Sequence, residues 1–237
     1  MRRRSGFTLI ELMIVIAIIA IVAGIALPGI LHAVRTANER NASASLKSLI
    51  STQAAFRTSD SDNNGANDYW VADLAGLYYI SIASPPTAAA MLKMIEPSMA
   101  SADGDPDDNY SIPGGGTNIG SSKAGYWYHA MYYYQSGANT FVDYRAGGTA
   151  QTNTDRYGFI AAADSYPRTG REAFIINEAG ALFRRDPQDD AAVWRTKPTA
   201  GQQDPAGVLF TDYGTFPLNP QSSGVAGQYV GPWTKLD

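Results

Sequence analysis

From Leu12 to Val34 the chain carries no formal charge, with His32 counted neutral: a run of 23 residues in a protein of 237. A helix needs about 20 apolar residues to cross the hydrocarbon core of a bilayer, and residues 7–31 supply them. Arg2, Arg3 and Arg4 precede the run. By the positive-inside rule they stay on the cytoplasmic side and send the C-terminal mass across. A cleaved secretory signal would end its apolar region in a small-residue cleavage site. Here the helical pattern continues past Pro28, so the apolar segment is expected to remain part of the protein.

The rest of the chain is a folded, water-facing domain by composition. Charged residues make up 17% and aromatic residues 11%, which excludes both a polytopic membrane protein and a chain disordered throughout. A net charge of −4 argues against a nucleic-acid binder, which shows a basic face. Zero cysteines remove disulfides, thiol nucleophiles and thiolate metal sites together.

One residue is out of place. Glu11 opens the apolar run, where a buried charge costs on the order of 3 kcal/mol and marks a functional position. Either it sits near the interface and reaches water, or it has a partner. Cleavage after Gly6 would create one: a new α-amino group on Phe7, four residues away.

Gly6-Phe7-Thr8-Leu9-Ile10-Glu11-Leu12 resembles the prepilin leader junction of type IV pilins and type II secretion pseudopilins. The similarity runs over about 30 positions, including the helix-kinking proline, here Pro28. The resemblance implies that a prepilin peptidase cuts between Gly6 and Phe7 and N-methylates Phe7. Glu11 would then pair with the Phe7 amine of a neighbouring subunit, fixing axial register in a bundle of apolar helices where an unpaired carboxylate is expensive. The implied partners are the peptidase, copies of the chain and other pilins in a filament, and inner-membrane assembly machinery. The implied location is the inner membrane, single-pass with a periplasmic head, and then a pilus, pseudopilus or the cell surface. Major pilin and pseudopilin remain unseparated, since the chain lacks the C-terminal cysteine pair of many pilins and the C-terminal calcium-loop pattern of the major pseudopilin. Pro28 is either a bend or melting point used in the filament, or a simple kink at the membrane exit.

The expected fold is α+β and pilin-like. A leader of residues 1–6 precedes one long helix over 7–58, apolar in its first half (7–31) and amphipathic in its second, where Val34, Leu46, Leu49, Ile50 and Phe56 stay near one face. The head, 59–237, packs an antiparallel sheet across the amphipathic half and ends in a loop-rich C-terminal region. Short helices are expected over Tyr69–Ile80 and Thr87–Met99, and a surface loop over Asp103–Ser122. Strands are expected over Tyr126–Tyr134, Arg156–Ala163 and Ala173–Asn177, with Asn177–Gly180 turning into 181–185. The segment from Thr196 onward reads as irregular and clasped on the surface. Residues 126–186 are also similar to an exported bacterial domain of uncharacterised function, which implies no chemistry.

Asp60, Asp62, Asn64, Gly65 and Asp68 have the spacing of the first nine positions of a calcium loop, with oxygens at alternate positions and glycine at the sharp turn. Val71 stands where the bidentate glutamate belongs, so a complete EF-hand is excluded. A partial Ca2+ loop would need Asp73 or a distant carboxylate, and the competing reading is a turn that caps a helix end. Asp103, Asp105, Asp107 and Asp108 lack such a register and read as a solvated acidic loop. The aromatic run 126–134 could bind sugars or surfaces; packing and a subunit contact explain it more simply. His32 and His129 are too few for a histidine metal site or a catalytic triad, and Gly114-Gly115-Gly116 lacks the lysine of a phosphate loop. The expectation is therefore a structural filament subunit and not an enzyme, with no cofactor beyond that Ca2+. The alternative is a membrane-anchored periplasmic binding module that uses the leader only for processing. Cleavage would leave 15 basic against 22 acidic residues, a net charge of −7.

Overall fold

In the computed structural model the described residues are 7–81, 83, 87–104, 120–137, 140–145, 151–186, 215–216 and 233–236. One helix, α1 (Leu9–Ser59), takes up 51 of them and measures about 75 Å at 1.5 Å per residue. It is continuous through Pro28 and ends at Asp60, a left-handed C-cap (φ 44°, ψ 58°) whose N–H donates to Phe56 O. The halves of α1 have different surroundings. Large apolar side chains from Phe7 to Val34 are exposed, whereas Ala42, Ser45, Leu46, Leu49, Gln53 and Phe56 are buried. That three-and-four spacing is one helical stripe. Val34, expected on the stripe, lies short of the head and is exposed.

The stripe packs on a five-stranded antiparallel sheet of order β10-β8-β7-β6-β2. Its strands are β2 (Tyr126–Ala130), β6 (Gly158–Ala163), β7 (Ala173–Asn177), β8 (Leu182–Arg185) and β10 (Thr234–Leu236). All six residues of β6 are buried, which suits a central strand covered on both faces. β7 and β8 join at Gly180 (φ 70°), whose N–H donates to Asn177 O, the turn expected from the sequence. Polar bonds pin the middle of α1 to loops of the head. Asn38 Nδ2 donates to Thr169 O at 2.8 Å, and Glu39 Oε1 accepts from Arg171 N at 2.9 Å. The observed fold is thus a long N-terminal helix on an antiparallel sheet.

Two small sheets flank this core. β1 (Tyr69–Trp70) pairs with β5 (Thr152–Asn153). β3 (Tyr133–Gly137) pairs antiparallel with β4 (Thr140–Asp143) and parallel with β9 (Thr215–Phe216).

Several expectations from the sequence need correction. The aromatic run 126–134 is two strands in different sheets. Met131 N still donates to Gly158 O beside β6, but Tyr144 N donates to Tyr132 O on the β3 side, so the chain turns at these two residues. Strand propensity is high on both sides of the bend and carries no sign of it. Only α2 (Gly76–Tyr79) is helical in 69–80, because Trp70 is taken into β1. Over 87–99 there is a 3-10 turn at Ala88–Ala90 and a one-turn helix α3 (Pro97–Ala100). Between them Lys93 has φ 50°, and the amides of Leu92, Lys93 and Met94 donate to the carbonyls of Ile80, Tyr78 and Leu77. Those cross-chain bonds replace the helical ones. The C-terminal region does more than lie on the surface: Trp233 is buried and β10 extends the main sheet. Asp105, Asp107, Asp108, the triple glycine and most of the segment after 186 lie outside the described residues.

Candidate functional site

The first candidate is the start of α1. Thr8 is the N-cap in extended conformation (φ −83°, ψ 152°), and it forms a reciprocal capping box with Glu11. Glu11 Oε2 accepts from Thr8 N at 2.9 Å and from Thr8 Oγ1 at 2.6 Å, while Glu11 N donates to Thr8 Oγ1 at 3.3 Å. An anionic group in the first turn also faces the positive end of the helix dipole. Glu11 therefore has a local partner within its own chain. Phe7 precedes the helix and is exposed; Gly6 lies outside the described residues. Pro28 sits within α1, between Gly24 and Gly29. Beyond its chain neighbours and the nearby helix backbone, neither glycine has an atom within 4 Å of where a Cβ would stand.

The exposed half of α1 is apolar all round. Among the described residues it belongs to one helix long and apolar enough to cross a membrane. A helix without a polar face is stable only when lipid or other helices cover it.

The second candidate is the turn that follows α1. The Asp60 main-chain N–H caps the helix through Phe56 O, and its carboxylate accepts from the amides of Asn64 and Gly65 at 3.1 Å each, closing the turn. Asn64 Nδ2 donates to Asp62 Oδ2 at 2.8 Å and to Asp68 Oδ2 at 3.1 Å. Asn64 thus brings the two carboxylates to one point. Burial and the neighbouring Asp68 charge hold the Asp62 carboxyl above its ordinary value. Among the described residues no group of three His, Cys, Asp or Glu side chains forms a metal cage. Asp73, the suggested completing ligand, is fully buried and turned inward, accepting from Trp70 Nε1 at 3.1 Å and Gly76 N at 2.8 Å.

Other polar residues prove structural. Asp103, expected in a solvated loop, is buried, and its Oδ2 accepts from the amides of Leu74 and Ala75 at 2.7 Å each. Its separation from those amides in sequence hid that role. Gln53 Nε2 donates to Trp70 O at 2.8 Å, and Trp70 N donates to Gln53 Oε1 at 3.1 Å. His129 is buried with Nδ1 2.7 Å from Ala130 O, and burial pushes its imidazole down to about 4. In the aromatic run Tyr126 and Tyr128 are core residues, and burial raises both hydroxyls, that of Tyr128 to about 12. The half-exposed Tyr132 and Tyr134 carry the guanidinium groups of Arg145 and Arg156, each 4.5 Å from the ring centre.

Comparison with known proteins bears on the first candidate. Residues 1–27 match the prokaryotic N-terminal methylation motif. The chain is similar to the type IV wide pilus major component PilA4 of Thermus thermophilus, at 38% identity over 86 residues, 36% of this chain and 60% of that protein. It is also similar to the type IV major pilin protein PilA of Myxococcus xanthus, at 46% identity over 54 residues, 23% of this chain and 24% of that one. The chain therefore spans 60% or less of these relatives' lengths. No solved structure matches it.

Proposed function

We propose, from the similarity of its N-terminal segment to type IV pilins, that the protein is a structural subunit of a type IV pilus-like filament. The observation that carries the reading is the division of α1. Its docked half is held by the head, while its apolar half is bare on every side and needs a bilayer first and neighbouring subunits afterwards.

In this reading prepilin peptidase removes residues 1–6 and N-methylates Phe7. The apolar half anchors the subunit in the inner membrane with its head in the periplasm. On assembly Glu11 exchanges its contact with Thr8 for the Phe7 amine of a neighbour. That exchange replaces a hydroxyl and an amide by a full positive charge, which strengthens the interaction in an apolar surrounding. Pro28 removes one backbone hydrogen bond within α1, giving the bundle a place to bend or melt. The two relatives are major components of pili, which favours a pilus over a secretion pseudopilus.

Glu11→Ala tests the reading in cells. Membrane fractions should hold the processed subunit at wild-type level, while sheared fractions lose filaments. N-terminal sequencing of the wild-type subunit should return methyl-phenylalanine at Phe7. Normal filaments from Glu11→Ala, or wild-type protein found only as membrane-bound monomers, would overturn it; the second outcome would favour the anchored binding module.

A further inference from the structure

The turn between α1 and β1 holds an unresolved electrostatic conflict. Asp68 is 5% exposed, and its Oδ1 is buried with no hydrogen-bond donor; Asp62 Oδ1 is buried and without a donor as well. Buried carboxylate oxygens ordinarily accept bonds, because each loses its hydration on folding. The other oxygen of each carboxylate shares one neutral side-chain donor, Asn64 Nδ2, and the main-chain amides of Asp62 and Asn64 only partly offset the strain at Asp62. Arg57, the nearest cation in sequence, does not relieve them. It donates to Asn67 O and Tyr69 Oη and stacks over the Tyr69 ring at 4.8 Å.

We propose that Asp62 and Asp68 bind a calcium ion together with Asn64 and main-chain oxygens of residues 60–68. The position now held by the Asn64 amide hydrogens is where a positive charge is wanted. Asn64 Oδ1 accepts from Ala66 N at 2.7 Å; giving up that bond in a half-turn of the amide would exchange the nitrogen for Oδ1 and add a third side-chain oxygen. Gly65, at φ 81° with open space around it, permits the sharp return that lets residues 62, 64 and 68 face one centre. All these donors are hard oxygens, and the loop is main-chain rich and adjustable. Both features suit calcium, whose coordination is wide and irregular, better than magnesium, which demands a tight octahedron. Asp60 stays with the amides of Asn64 and Gly65 and frames the loop. Val71 in place of a bidentate glutamate leaves coordination positions to main-chain carbonyls and water. The ion would lock the turn by which α1 enters the head.

The test uses the full chain in detergent micelles, with Ca2+ alone as probe. Melting of the head is followed by tryptophan fluorescence in EGTA, CaCl2 or MgCl2. Calcium at a hundredfold excess over its dissociation constant should raise Tm by about 5 to 10 °C, with magnesium giving much less. Asp62→Asn keeps the shape and removes one charge. It should melt at or above wild type in EGTA, because the Asp62–Asp68 repulsion is gone, yet lose about tenfold or more in calcium affinity. Asn64→Asp should do the opposite, melting lower in EGTA and gaining a larger calcium shift. A pure helix cap would show no such crossing of signs. An unchanged wild-type Tm, an equal magnesium shift, or a calcium shift that survives Asp62→Asn would each overturn the proposal. None of these results bears on the Glu11 filament assay.

Discussion

Replacing Gln53 by Ala asks how firmly the helix is fastened to the head. β1 pairs with β5 along one edge, and along the other its Trp70 amide and carbonyl are met by the Gln53 side chain, at 3.1 and 2.8 Å. A side-chain amide thus stands in for a neighbouring strand, at a position with no solvent exposure. Truncation leaves a buried N–H and a buried C=O without their partner, each costing about 1–3 kcal/mol. Allowing for partial relaxation, the loss is about 3 kcal/mol, or roughly 6 to 12 °C in Tm for a domain of this size. The assay is tryptophan fluorescence of the full chain in micelles, since far-UV dichroism would be dominated by α1. A Tm within 2 °C of wild type would refute the reasoning. Gln53→Glu sharpens the test. When protonated, its carboxylic acid can donate to Trp70 O and accept from Trp70 N; when ionised, it can only accept. Its folded pKa is therefore raised above the unfolded value. The stability it contributes is present at low pH and lost as pH rises through the folded pKa.

Two further predictions concern the head. His129 has its folded pKa depressed by burial to about 4 from 6.5, so the unfolded chain binds more protons between those values. Stability should fall by up to about 3 kcal/mol as pH drops through that window. Urea midpoints at pH 7 and 4.5 should show a shallower fall in His129→Asn, and identical falls would count against the mechanism. Gly125 and Gly180 both have positive φ, at 71° and 70°, but a Cβ at Gly125 would stand 2.7 Å from Thr169 Cβ while one at Gly180 meets only Ile50 at 3.6 Å. Gly180→Ala should cost about 1 kcal/mol for its backbone conformation, and Gly125→Ala clearly more. Equal melting temperatures for the two would be inconsistent with the Thr169 contact.

The elements legible in the sequence were those whose cause is local. An uncharged run of 23 residues is long enough for a covered helix, and Leu46, Leu49 and Phe56 repeat at helical spacing wherever the sheet lies. The β7–β8 hairpin is announced by Gly180, and the prepilin-like junction by seven consecutive residues. Tertiary structure decided the rest, because the partners come from distant segments. Asp103 looks like a member of an acidic loop until the Leu74 and Ala75 amides, nearly thirty positions earlier, need an acceptor. The aromatic run divides at Met131–Tyr132 because two different sheets recruit its halves. Trp233 and β10 find the far edge of the main sheet from a stretch rich in proline and glycine. In the turn after α1, spacing alone left a cap and a cation loop both open. The fold placed Asp60 in the cap and left Asp62 and Asp68 facing Asn64, since packing against the head buries Asp68 and half-buries Asp62.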